Sequence, residues 1–507
     1  MDRRALAVSQ PDLAEDRLGF FRWGRVAGQV LVTNDAGDWV FLTEPELNDL
    51  LAGRVVEAHP RFQELQRKGF LRDGVDLDAL AERVALRNRH VRRGPHVHVV
   101  TLTRRCPQTC VYCQAARQTV ETADGAMTPE TAEKVVDLAL QSSSPSLTFE
   151  LQGQGGEPLL NFDVLRHLVE VARSRNKLAS GKTLSFSVAS NFTGMTEEAA
   201  EWLIANDVAV CTSLDGPASL HDANRKWKHG STHADVVRWI DYFRRRYVEL
   251  GRDPRLSPID ALLTTTRQTL QAWREVVDEY VARGMHAIYL RPLNPAGFAR
   301  DTWPTIGYTA DEYLDFYRRV LDYVLEVNRR GAEIAEGTAS IFLTKILSSD
   351  DPGIVDIQSP NGAGTGQIAY DVDGRVFPSD EARALYAMGD PLFEIGHVQD
   401  LTVADVLQHP TVRAIAAASV LDTQPMCADC WNKPFCGISP VYNFMTQGDL
   451  CGQRPWSVEH QEHLAVATRL FELLANERDS ETVEILKRWA TTRPRLASDG
   501  RASKEAP

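Results

Sequence analysis

The sequence predicts an α/β protein whose core is a parallel sheet of six β/α units, rolled into part of a barrel. Three observations point there. From His96 onward, short β-rich runs alternate with amphipathic helical stretches, as strands joined by crossover helices do. The residues with the most chemical character fall at the ends of those runs, where β/α folds place their ligands. A chain of 507 residues also exceeds what one hydrophobic core organises, so further domains are expected on either side.

The elements follow in order. Residues 1–19 form an N-terminal segment, and residues 20–75 read as a small module. In it, GQVLVTNDAGDWVFLT carries two apolar runs around Asn34-Asp35-Ala36-Gly37-Asp38, a hairpin signal. Thr43, with Glu46 three residues on, caps a helix in EPELNDLLAG, and PRFQELQRKGF has the spacing of a second. Residues 76–95 are charged and helical in pattern, a connector. The core occupies 96–307, with strands expected at 96–103, 147–153, 183–190, 208–215, 259–265 and 287–293. Residues 308–354 form a bridge of two helices. From 355 to 457 the chain turns glycine-rich and hairpin-like between Pro360 and Pro378, then cysteine-rich, and reads as a separate domain. The last division, 458–507, holds a closing helix of roughly 458 to 490 and the polar tail ASDGRASKEAP, expected to be disordered.

A composition of 43% hydrophobic and 25% charged residues is that of a soluble globular protein. No apolar run approaches the roughly 20 residues that cross a bilayer, so no membrane span is expected. The opening MDRRALAVSQPDLAEDRLGF lacks the apolar stretch of a signal peptide, and the cytoplasm is the expected compartment. A formal charge of -13 argues against a phosphate-tracking surface and against nucleic acid as a partner. Of eight cysteines, seven fall in two groups, and in a reducing compartment such groups mean metal more often than disulfides. Cys211, the eighth, lies in the run VAVCTSLD and reads as a buried small hydrophobe.

Cys106-Pro-Gln-Thr-Cys110-Val-Tyr-Cys113 puts three thiolates directly after a strand, where one loop wraps them around a metal centre. Soft thiolates select iron-sulfur or zinc. A cubane cluster needs four ligands, so three cysteines leave one iron open to an outside ligand, a catalytic arrangement. A three-cysteine zinc knuckle completed by a distant histidine is the alternative. Gly153-Gln-Gly155-Gly156-Glu157-Pro158 follows the second strand, where glycines let backbone approach a ligand and Glu157 offers an acceptor for an ammonium. The same residues also make an ordinary turn before a helix. Ser190-Asn191 ends the third strand, and Ser213-Leu-Asp215-Gly216-Pro217 ends the fourth with Arg225 beyond, positions equally open to helix caps.

Taken together, these motifs resemble the radical S-adenosylmethionine (SAM) superfamily over roughly residues 96 to 295. The resemblance implies a partial (β/α)6 radical SAM barrel and a SAM-binding [4Fe-4S] cluster on Cys106, Cys110 and Cys113. It also implies SAM contacts from Tyr112, Gly155, Gly156, Glu157, Ser190, Ser213, Arg225 and Leu293. Of these, Glu157 and the Gly155-Gly156 backbone would hold the amino group. Ser190 and Ser213 would meet the ribose or carboxylate region, Arg225 the carboxylate, and Leu293 the adenine.

The second group, Cys427, Cys430, Cys436 and Cys451, could close a complete iron-sulfur site or a four-cysteine zinc site. It resembles the SPASM domain of peptide-modifying radical SAM enzymes, which carries seven cysteines. Asn361, Ser379 and Pro440 stand near where three of those would fall, so the resemblance implies one auxiliary [4Fe-4S] cluster. Asp380, Glu381 and Arg383 lie in a family-like segment, but such residues are usually exposed, and no general base is assigned.

The N-terminal module resembles the winged-helix-like element that binds leader peptides, pairing the leader as a strand against a hairpin edge. A docking or dimerisation domain is the alternative. The chain as a whole resembles the maturases of the His-Xaa-Ser repeat peptide systems, carried by LVTNDAGDWVFLT, GGEP, FPSDEAR and FCGISPVYN. That implies a ribosomally made precursor peptide as substrate, an aromatic crosslink to an unactivated β-carbon, and a reductant such as flavodoxin or ferredoxin. Activation of another protein such as a sulfatase, and a non-enzymatic iron-sulfur or zinc protein, are the other readings.

Overall fold

The structure is a computed structural model that describes residues 17–115, 117–152, 155–179, 181–252, 259–476 and 479–491. Gly153, Gln154 and the tail at 497–507 lie outside the described residues. Among the described residues, no helix is long and apolar enough to cross a membrane.

The N-terminal module is a three-stranded antiparallel sheet, β1 (Arg22–Val26), β2 (Gln29–Thr33) and β3 (Trp39–Leu42). The hairpin expected around Asn34–Asp38 joins β2 to β3. The first hairpin, β1 to β2, turns at Ala27 and Gly28, both left-handed with φ of 53° and 74°. Such a turn suits the twist of two strands, but its alanine hides it from sequence. Thr43 caps the helix Glu44–Leu51, and Glu46 returns a bond to the Thr43 amide at 2.8 Å. Val30, Val32, Val40, Leu42, Leu50, Leu65 and Phe70 close a small core of their own.

Six parallel strands form the centre: β4 (Val97–Thr101), β5 (Ser146–Gln152), β6 (Thr183–Ala189), β7 (Val208–Ser213), β8 (Asp260–Thr264) and β9 (Leu290–Arg291), paired in the order β9-β8-β7-β6-β5-β4. Val100, Phe149, Phe186, Val188, Val210 and Leu263 are buried against the crossover helices. On the opposite face, Glu150, Ser185, Ser187, Ala209, Ser213, Asp260 and Thr264 are only half-buried. A parallel sheet covered on both sides reads as continuous apolar runs. TLSFSVA alternates instead, because one face meets helices and the other lines an accessible interior.

The strand expected at 287–293 is two pieces in two sheets. Ala287–Ile288 pairs with Ala335–Glu336, whereas β9 pairs with β8. The switch occurs at Tyr289, whose ring fills the space a Cβ on Gly337 would need, 2.1 Å away. The closing helix is likewise two, Val458–Ala475 and Ser480–Thr491. Asp479 accepts from the Thr482 amide at 3.1 Å and so starts a new helix.

The other edge of β4 is covered by the C-terminal part of the chain. There β10 (Gln367–Tyr370) pairs in parallel with β4, followed antiparallel by β11 (Arg375–Phe377) and β12 (Gly396–His397). The boundary expected at 355 therefore does not separate two sheets. At the seam, His98 Nδ1 lies 2.9 Å from the Tyr370 hydroxyl between stacked Phe149 and Tyr370 rings.

Candidate active site

The loop after β4 carries Cys106, Cys110 and Cys113, all half-buried. Its backbone is tied down at many points. Cys106 N donates to Gln118 O at 3.1 Å, Cys113 N to Cys110 O at 3.2 Å, and Thr109–Cys110 pairs antiparallel with Arg225–Lys226. The Asn191 side-chain amide reaches Cys106 Sγ at 3.6 Å. Burial pushes the Cys106 and Cys110 thiols up to about 12.

The Gly155-Gly156 turn backs onto this loop. A Cβ on Gly156 would sit 2.2 Å from Arg105 O, and one on Gly155 would sit 2.4 Å from Thr101 Cγ2. The glycines thus let this turn pack closely on Thr101 and on the Thr103 and Arg105 backbone. Glu157 is fully buried, and its carboxylate accepts from Ser190 Oγ at 2.7 Å, Asn191 N at 2.8 Å and Leu159 N at 3.1 Å. Burial pushes it up to about 7 despite these bonds. Glu157 therefore joins the ends of β5 and β6 and aims Asn191 at Cys106.

Arg225 also has a partner of its own. Asp215, fully buried, takes Arg225 Nε at 3.3 Å, Asn224 Nδ2 at 3.3 Å and the Tyr112 hydroxyl. The guanidinium carbon stands 5.2 Å over the Tyr112 ring. Arg225 and Tyr112 thereby clamp the cysteine loop to the end of β7. Leu293, 4% exposed, packs with Tyr112, Ala299 and Ile306 beneath that clamp. Ser213 is half-buried at the end of β7.

A second clamp reaches the C-terminal strands and was not legible in sequence. Arg104 Nε lies 3.1 Å from Asp371 Oδ1, and Arg383 stands between Asp371 at 3.8 Å and Asp380 at 3.3 Å. Burial pushes Asp371 up, but Arg383 and Arg104 together hold it below the usual carboxylate range. The exposure expected for Asp380 and Arg383 gives way to burial, at 4% and 1%. Pairing makes that burial tolerable. Asp356, pushed up to about 7 by burial and then by Glu381, belongs to the same region together with the exposed Arg291.

The C-terminal cysteines are arranged differently. Cys427 and Cys436 share a small apolar cluster with Leu421 and Ile438. Cys430 Sγ accepts from Asn432 N at 3.4 Å, and His463 Nδ1, which no spacing suggested, stands 3.8 Å from Cys436 Sγ. Cys451 is exposed. Asn361, Ser379 and Pro440 do structural work: Asn361 Nδ2 bonds Ile438 O at 3.1 Å, Ser379 caps the helix Asp380–Ala387, and Pro440 opens the helix Pro440–Gln447. Among the described residues, no three His, Cys, Asp or Glu side chains converge closely enough to hold a single metal ion. Cys211 is buried on β7, 8% exposed.

Comparison with known proteins bears on this arrangement. The Radical SAM superfamily profile matches residues 100–252. An uncharacterised protein of Methanocaldococcus jannaschii is 25% identical over 39% of this chain and 62% of its own length. A cysteine-type anaerobic sulfatase-maturating enzyme of Clostridium perfringens is 24% identical over 60% of this chain and 77% of its own. Among solved structures, anSMEcpe with bound AdoMet and Cp18Cys peptide superposes with a TM-score of 0.59 at 17% identity, covering 78% of this chain and 99% of that one. Streptococcus suis SuiB bound to the precursor peptide SuiA superposes at 0.52 and 14% identity, covering 87% and 99%. Residues 100–252, which hold the three-cysteine loop, the Gly155-Gly156 turn and the Asp215 clamp, are thus a Radical SAM domain by profile, and the fold of the chain is that of the superposed maturase structures.

Proposed function

We propose that this protein is a radical SAM maturase of the SPASM type that modifies a ribosomally made precursor peptide. The proposed reaction joins an aromatic side chain to an unactivated carbon of the same peptide, one hydrogen atom leaving that carbon for the 5′-deoxyadenosyl radical and the ring losing a proton and an electron that the auxiliary cluster would accept. The carrying observation is the three-cysteine loop at the carboxyl end of a sheet whose inner face is polar and half-open, beside the C-terminal segment. Two relatives in the same fold are structures with bound peptides, which supports a peptide as the substrate class.

The residues fit a three-thiolate iron-sulfur centre. Cys106 and Cys110 are half-buried thiols that burial holds protonated, and Arg225 beside Cys110 is paired with Asp215, so a metal centre is the charge that would keep them as thiolates. Held there by Cys106, Cys110 and Cys113 together with SAM, a [4Fe-4S] cluster would supply a 5′-deoxyadenosyl radical able to take hydrogen from an unactivated carbon. The chain does the rest. Asp215, Arg225 and Tyr112 fix the loop, Glu157 sets Ser190 and Asn191 against it, and the inner-face side chains exclude bulk water and orient the peptide. Cys427, Cys430, Cys436 and Cys451 would hold one auxiliary cluster.

The leader would add to the N-terminal module as a strand. The outward carbonyls of β3, on Trp39 and Phe41, are taken by Lys68 Nζ at 2.8 Å and Arg61 at 2.6 Å. A leader on that edge therefore displaces two flexible side chains. We place the reaction in the cytoplasm, with a flavodoxin or ferredoxin as reductant.

Anaerobic incubation with SAM, a reductant and a candidate precursor peptide, sought among short reading frames near the gene, tests the reading. A peptide lighter by two hydrogens, with an aromatic residue in a crosslink, is expected. The similarity to sulfatase-maturating enzymes favours a second reading, activation of a sulfatase. Turnover of a sulfatase peptide, with the neighbouring peptide untouched, would replace the first reading by the second.

A further inference from the structure

The N-terminal module is fastened to the auxiliary cysteine loop itself. Arg22 on β1, 6% exposed, donates through Nε to Ala428 O at 2.5 Å. Thr33 Oγ1 at the end of β2 donates to Trp431 O at 2.8 Å. Gly24, between them, lies flat under the Trp431 ring, where a Cβ would stand 2.2 Å from Cδ1. Asp35 in the β2–β3 turn accepts from Lys433 Nζ at 2.9 Å and from Arg22 at 2.8 Å. From the connector, Arg87 donates to Pro434 O at 2.9 Å and to Lys345 O at 3.0 Å.

Eight residues separate Cys427 from Cys436. Ala428, Trp431, Lys433 and Pro434 among them are held by residues from the first 90 positions of the chain. The segment is a run of short turns, with Cys430 N bonded to Cys427 O at 3.1 Å and Lys433 N to Cys430 O at 3.0 Å, and the outside contacts fix where those turns sit. The Arg22 guanidinium bonds a backbone carbonyl from a desolvated position. Losing that donor would leave the carbonyl unpaired, which is costlier than losing an exposed bond. Gly24 is needed for a different reason, since any side chain there pushes Trp431, the residue after Cys430, out of place.

We propose that the N-terminal module is one wall of the auxiliary cysteine site, with Arg22, Gly24 and Thr33 as positioning residues that set the Cys430–Cys436 segment to present its thiolates. The inference rests on the auxiliary-cluster reading. It adds that the module is part of the metal site and not only a handle for peptide. Anything that moves β1 and β2 against the core must then also be felt at these cysteines.

The test uses the full chain carrying Cys106→Ala, Cys110→Ala and Cys113→Ala, so that only auxiliary iron remains. To this are added Arg22→Gln, Arg22→Lys or Gly24→Val, each reconstituted anaerobically. Iron per chain, the electron paramagnetic resonance spectrum of the reduced cluster, and hydrogen exchange over 428–435 are read. We expect Arg22→Gln and Gly24→Val to lower auxiliary iron at least twofold or shift the spectrum. Exchange over 428–435 should rise while β2 and β3 stay protected, and Arg22→Lys should restore part of the signal. Unchanged iron, spectrum and exchange in Arg22→Gln and Gly24→Val would overturn the inference alone. Absence of iron in the parent triple variant, with its module folded, would overturn the auxiliary-cluster reading and the inference with it.

Discussion

The two cysteine groups are held by opposite strategies. The barrel loop takes its support from the sheet it belongs to: Gln118 lies further along the same β4 connection, Asn191 follows β6, and Asp215 and Arg225 follow β7. The C-terminal group is a junction of remote segments, with Arg22 and Thr33 from the N-terminal module, Arg87 from the connector and His463 from a late helix. Its cysteines are also unequal, Cys427 and Cys436 packed among apolar neighbours and Cys451 exposed. On the proposed reading, local support suits a site that would keep one position open for a ligand, and distributed support suits a closed centre that would pin domains together.

Changes aimed at each region separate these strategies, and the largest effect is on metal. Replacing Cys106, Cys110 and Cys113 by alanine should remove about half of an expected total of about eight irons per chain, read by iron and sulfide analysis. Asp215→Ala strands the Arg225 charge in the interior and should cost about 3–5 kcal/mol, measured as a shifted urea midpoint. Gly156→Ala forces a Cβ onto Arg105 O and should cost about 1–3 kcal/mol in the same assay.

On the C-terminal side, Glu462 sits on the helix Val458–Ala475, and burial pushes it up to about 8. A carboxyl group raised in the folded state favours folding while protonated. Its contribution is lost as pH climbs from its ordinary value near 4.5 through about 8. The urea midpoint of wild type should therefore fall, relative to Glu462→Gln, between about pH 5 and about pH 8. The smallest effect belongs to the module edge. Lys68→Ala frees a β3 carbonyl and should change leader affinity by about tenfold or less, measured by titration calorimetry.

What the sequence made legible was local. The barrel cysteines, the strand runs, the Asn34–Asp38 hairpin and the Thr43–Glu46 capping box are each written within a few residues, and the folded chain keeps them there. What it hid was pairing over distance. Nothing in GQIAY announces that Gln367–Tyr370 will lie beside Val97–Val100, nor does any spacing join Arg104 to Asp371 or Tyr112 to Asp215. Asp380 and Arg383 look like surface residues until their partners are known. Glu157 and Arg225, which the resemblance makes SAM contacts, also hold the loop that carries the cysteines, a second role that no spacing announces. The end of the long helix at Asn476 is in fact written locally: the apolar pattern stops at Ala475, seven polar residues follow, and the Asp479 cap starts the next helix.

The central claim is that the loop of Cys106, Cys110 and Cys113 is where SAM is cleaved. Its most direct test is anaerobic incubation of reconstituted protein with SAM and dithionite, with 5′-deoxyadenosine measured by chromatography for wild type and for the triple alanine variant. The account predicts 5′-deoxyadenosine from wild type and only background from the variant, with about half of the iron expected to stay on the C-terminal cysteines. Equal production by both, or none from a wild type that has bound its full iron, would contradict it.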